Sequence, residues 1–132
     1  MPRVHWPLKQ GRPCVEIVLT MALGGESWPR TLLADTGAGS AGSRMYLILD
    51  EQDCLLCDGQ PDKPVRLGGA FSGEFPTYVV RVRLPQLGFD ESLRVVGIPA
   101  VPAGFDGIAC FKFLNRFTYG NAGDPLQFGL ET

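Results

Sequence analysis

Histidine is almost missing from this chain: His5 is the only one, and it lies near the N-terminus, far from any serine or cysteine motif. That argues against a hydrolase built on a Ser-His-Asp or Cys-His arrangement. It also weakens any metal site, because Cys54-Leu55-Leu56-Cys57 is a lone Cys-x-x-Cys with neither a second pair nor a nearby histidine to complete four ligands. No metal is expected, and the two thiols read as structural. A basic excess is missing too. Twelve Lys and Arg stand against fourteen Asp and Glu, a net charge of −2 with no basic run, which argues against nucleic-acid binding. Long apolar runs are missing. The longest apolar-leaning stretch, residues 15–23, is broken by Glu16 and is too short to span a bilayer. The opening Met-Pro-Arg-Val-His-Trp-Pro has no apolar core of the signal-peptide kind. A cytoplasmic chain without membrane association, its four cysteines reduced, is the expectation. Gly24-Gly25 and Gly68-Gly69 do not match a phosphate-binding loop, so no cofactor is expected. There is no repeat, linker or low-complexity block. Residues 1–132 read as one domain, with a polar, proline-punctuated extended arm over residues 1–12.

What the chain does have is turns and short apolar segments. Seventeen glycines and eleven prolines make up about a fifth of it, which implies many tight turns between short strands. Residues 14–21 are rich in β-branched side chains and predict a strand. Gly24-Gly25 predicts a hairpin turn, and residues 30–35 predict the returning strand. Residues 45–57 contain neither Gly nor Pro and predict a short helix, with a loop over 58–64. Segments 65–67 and 74–84 flank a glycine-rich tip and predict a second hairpin. Along it Val80, Val82 and Leu84 alternate with Arg81 and Arg83, which leaves one face wet. Residues 92–98 predict a strand before a bend at 99–102, residues 111–117 a short helix, and residues 126–130 a last strand. The sum is a mostly-β domain with one or two short helices. Trp6 and Trp28 read as packing residues.

The most specific feature is Leu32-Leu33-Ala34-Asp35-Thr36-Gly37-Ala38-Gly39-Ser40. An apolar strand ends on a carboxylate, followed at once by a tight turn of small residues, so Asp35 is presented with little bulk around it. About seventy residues later comes Phe105-Asp106-Gly107-Ile108-Ala109-Cys110-Phe111-Lys112-Phe113-Leu114, an apolar run passing through a glycine into a short helix. Between the two lies the glycine-rich tip, residues 68–73. In identity and order these three elements resemble the retropepsin-like (retroviral-type, single-domain) aspartic proteases, over about residues 12–131.

The resemblance implies a closed acid-protease β-barrel, in which the strand of the second element crosses behind the catalytic loop. It implies Asp35 as the catalytic residue and Thr36, Gly37 and Ala38 as supports of its loop, with Thr36 bonding across a two-fold axis. Gly68, Gly69, Ala70, Phe71, Ser72 and Gly73 would form a flap over an extended peptide or protein substrate. Such chemistry needs two carboxylates about 3 Å apart sharing one proton. The chain has a single Asp-Thr-Gly; Asp58-Gly59 and Asp106-Gly107 lack its context. The implied enzyme is therefore a homodimer with one Asp35 per subunit, and residues 126–130 or the N-terminal arm could supply an interface sheet. One departure stands out: Cys110 occupies a position usually held by glycine. Two other readings remain open at this stage. One is a retropepsin-like fold serving as a binding or dimerisation module with little or no proteolysis. The other is a β-barrel carrying an accidental Asp-Thr-Gly.

Overall fold

The computed structural model describes residues 2–58 and 60–132; Met1, Gly59 of the Asp58-Gly59 pair, and the side chain of Ala70 lie outside the described set. In chain order the strands are β1 (Arg3–Pro7), β2 (Cys14–Thr20), β3 (Ser27–Ala34) and β4 (Leu47–Asp50), then helix α1 (Glu51–Cys57). These are followed by β5 (Asp62–Leu67), β6 (Gly73–Leu84), β7 (Phe89–Ile98), β8 (Gly107–Ala109), helix α2 (Phe111–Leu114), β9 (Thr118–Gly120) and β10 (Gln127–Glu131).

Six strands close into a barrel in the order β2-β3-β8-β4-β7-β6, with β6 returning to β2 through Val18–Arg83 and Leu19–Val82. The interior follows from period-two alternation. Val15, Ile17 and Leu19 of β2 and Val80, Val82 and Leu84 of β6 are all within 1% of full burial, while Glu16 and Arg81 face solvent. β3 runs parallel to β8, and β4 runs parallel to β7.

That mixed pairing explains the largest departure from the sequence reading. The helix expected over residues 45–57 is a strand followed by a helix. Leu47, Ile48 and Leu49 are buried without alternation, because β4 lies between β7 and β8 and is covered on both faces. Such a run has no strand periodicity to read. Asp50 then accepts a hydrogen bond from the Gln52 N–H (2.8 Å) and caps α1.

Other boundaries shift for local reasons. The helix expected over 111–117 ends at Leu114, its Phe113 packed edge-on against Phe89 and tilted against Phe117. The loop expected over 58–64 gives way at Asp62 to β5, an edge strand whose register slips between Asp62 and Val65, around Pro64. The arm expected over residues 1–12 contains β1, which pairs with β10 from Arg3–Glu131 to Pro7–Gln127. β9 takes the other edge of β10. Residues 126–130 are thus not a free terminal strand. β10 has both edges occupied within its own chain, Leu126 lies outside it and is 74% exposed, and the open edges of this small sheet belong to β1 and β9. Among the described residues no helix is long and apolar enough to cross a membrane.

Asp106 ties the fold together next to the site. Its carboxylate accepts the Thr31 N–H at 2.8 Å, and its own N–H donates to the Thr31 carbonyl at 2.8 Å. This two-point latch sets the register in which β8 enters beside β3. Asp106→Ala is expected to destabilise the fold by about 1–3 kcal/mol, since it strips the acceptor from a partly buried N–H. Urea melts of the two proteins measure it.

Candidate active site

Asp35 stands one residue beyond β3, where the chain leaves the barrel, and is half-buried behind the fully covered Leu32, Leu33 and Ala34. Its backbone is held from behind: its N–H donates to the Ala109 carbonyl of β8 (3.0 Å). The Asp35 carbonyl accepts the Ala38 N–H (3.2 Å), and the Ala38 carbonyl accepts the Phe111 N–H at the start of α2 (2.9 Å). The second apolar element therefore does buttress the Asp35 loop. The carboxylate itself accepts the Gly37 N–H at 2.9 Å. A Cβ added to Gly37 would approach Asp35 Oδ1 to 3.3 Å, so any side chain there crowds the carboxylate. Beyond the loop, Lys112 donates to the Ser43 carbonyl and its Nζ lies 4.8 Å from the centre of the Tyr46 ring, which anchors residues 40–46 to α2.

Asp35 faces a cleft of about 570 Å³. It is lined by Asp35, Gly37, Ala38 and Gly39 from the Asp35 loop and by Gly68, Gly69 and Phe71 from the turn joining β5 to β6. The residues singled out from two separate sequence segments thus meet in one space. Among the described residues, three of them do not line it. Thr36 is exposed beside Asp35; Ser72 closes the turn by donating to the Gly69 carbonyl (3.3 Å); Gly73 opens β6. Ala70 contributes backbone to that turn.

The sequence reading missed Met45 and Ile48, which form an apolar wall, and Arg66 and Leu67, which lead into the turn. Arg66 and Leu67 directly precede Gly68 and could have been found as the shoulder of the hairpin. Met45 and Ile48 carried no such signal, because they reach the cleft only through the placement of β4 between β7 and β8.

The other Asp-Gly aspartates are engaged elsewhere. Asp106 is the latch to Thr31, and Asp58 accepts the Val79 N–H at 3.1 Å. His5 lies in β1 opposite Gly129 and does not line the cleft. Among the described residues no group of three or more His, Cys, Asp or Glu is arranged to hold a metal ion.

Cys110 fits where glycine was expected. Its backbone is extended (φ −79°, ψ 167°), a conformation open to any residue, and its side chain is fully buried. Burial, reinforced by the nearby Asp35 charge, pushes its thiol up to about 12. Burial also pushes Cys57 up to about 11, with Asp53 adding to it, and raises Cys54 further. These thiols stay protonated in the folded protein at pH values where an unfolded chain ionises them. Their contribution to stability is complete below about pH 9 and is lost as pH climbs toward 12, by up to about 1.4 kcal/mol per pH unit for each thiol. Thermal melts are expected to fall steadily from about pH 9 to 11, and Cys110→Ala is expected to flatten that fall.

No family model, curated protein or solved structure matches this chain.

Proposed function

We propose that the protein is a homodimeric aspartic endopeptidase. The observation that carries this reading is the meeting of Asp35 with Gly68, Gly69 and Phe71 of the glycine-rich turn in the lining of one cleft. The loop bearing Asp35 is braced by β8 and α2, which gives the carboxylate a defined position. Asp35 is the one carboxylate among the described residues lining the cleft, so the second comes from Asp35 of the partner subunit across a two-fold axis. The pair shares one proton. The ionised member takes a proton from a bound water as that water attacks the scissile carbonyl carbon. The protonated member donates its proton to the carbonyl oxygen. Collapse of the tetrahedral intermediate breaks the C–N bond as one hydroxyl re-forms the carbonyl and returns its proton to the carboxylate that had donated one, and the departing nitrogen takes the proton drawn from water, which restores the dyad. Thr36, exposed next to Asp35, is free to bond across the axis, and Gly37 keeps the approach to the carboxylate open. β5 ends its sheet, so its outer edge can accept a substrate as an added strand.

The test is incubation with a diverse peptide pool between about pH 3.5 and 7, with and without a statine-type inhibitor. Inhibitor-sensitive cleavage whose specific rate rises with protein concentration is expected. A strictly monomeric protein at micromolar concentration by light scattering would sink the dimer. Peptide binding without cleavage would favour a retropepsin-like binding module instead.

A further inference from the structure

We infer that the cleft selects peptides bearing a carboxylate close to an apolar side chain, and that Arg66 is the residue that reads the carboxylate. This rests on the cleft being a peptide site, as proposed above. Asp35 and Arg66 are the charged residues among those described as lining it. Arg66 is poorly paired. One nitrogen, Nη2, lies 3.4 Å from Glu74 Oε1, and the two side chains are 76% and 61% exposed. Two other arginines on this fold fill their forks. Arg30 holds both oxygens of Asp53 at 2.7 and 3.0 Å, and Arg81 holds both of Asp90 at 2.8 and 2.6 Å. A single long contact between exposed groups is worth little. A ligand carboxylate can therefore replace Glu74 and take the bidentate geometry that Glu74 does not use.

Glu74 offsets the Arg66 charge, so the preference rests on the unfilled guanidinium donors rather than on net charge. Met45, Ile48, Leu67 and Phe71 supply the apolar surface in the same cleft. The carboxylate can come from an internal Asp or Glu side chain or from a free peptide C-terminus.

The experiment measures peptide binding by fluorescence anisotropy to the full chain carrying Asp35→Asn, so that ligands stay intact. Three labelled peptides of about ten residues share an apolar, strand-forming sequence. One has an internal Glu and blocked ends, one has Gln in its place, and one has Gln with a free C-terminal carboxylate. At low salt the Glu peptide is expected to bind about fivefold more tightly than the blocked Gln peptide, and the difference shrinks in high salt. A gain shown only by the free C-terminus assigns the site to terminal carboxylates. Arg66→Gln should erase the preference, and Arg66→Glu should turn it toward a Lys peptide. Arg66 is exposed, so these variants are expected to fold as the parent does. Equal binding of all three peptides, a preference that survives Arg66→Gln, or no binding at all would overturn the inference. The protease reading is judged separately, by cleavage with the native chain: a carboxylate preference without cleavage leaves Arg66 its role and removes the enzyme.

Discussion

Asp35→Asn is expected to lower peptide cleavage by at least about 1,000-fold while leaving the fold intact. The argument depends on what the substitution keeps. An asparagine Oδ1 still accepts the Gly37 N–H that Asp35 accepts at 2.9 Å, and the backbone bonds to Ala109 and Ala38 do not involve the side chain. What is lost is the proton chemistry. A dyad of two amides can neither take a proton from water nor donate an acidic one to the carbonyl oxygen. Thermal melts of the two proteins should agree within about 1 kcal/mol, which isolates the effect to catalysis. Cleavage that persists at the parent rate would remove Asp35 from the mechanism. A mixed dimer of native and Asp35→Asn chains sharpens the prediction, since half of a dyad is as ineffective as none: activity should fall with the fraction of mixed pairs.

Gly107→Ala is expected to produce the largest loss of stability, about 3 kcal/mol or more, and a fall in Tm of about 10 °C or more. An added Cβ at this position would lie 2.3 Å from the Ile48 carbonyl oxygen, with Leu49 and Leu32 side chains at 3.1 and 3.2 Å. The nearest atom is backbone, and it belongs to β4, which is paired to β8 through this same segment. Relief requires parting two central strands of the barrel rather than turning a side chain. Because β8 also supplies the Ala109 carbonyl that holds the Asp35 N–H, surviving protein should show impaired activity as well. Gly42→Ala is the control. A Cβ there meets its nearest atom only at 4.0 Å, and a change within about 0.5 kcal/mol is expected from calorimetry.

These two glycines also mark the limit of what could be read in advance. Gly107 was visible as part of an apolar element passing into a helix, but its steric need is set by β4, about sixty residues away in sequence. The sequence reading had placed the point of doubt at Cys110, which the ordinary backbone at that position removes.

The sequence by itself determined the mostly-β character and the barrel-lining alternation in β2 and β6. It also determined the hairpin tip, the single Asp-Thr-Gly and the element that supports it. Each is a local property: side-chain period, turn residues, or a carboxylate at a strand end. The tertiary structure decided the rest. It turned residues 47–50 into a strand, because β4 lies between β7 and β8 with successive side chains buried on both faces, which erased the periodic signal. It paired the two termini with each other across most of the chain length. It brought Met45, Ile48 and Arg66 to the carboxylate by closing β6 onto β2 and setting β4 between β7 and β8. Contacts of that kind depend on which strands become neighbours, and strand order is fixed by the packing of the whole barrel rather than by any one segment.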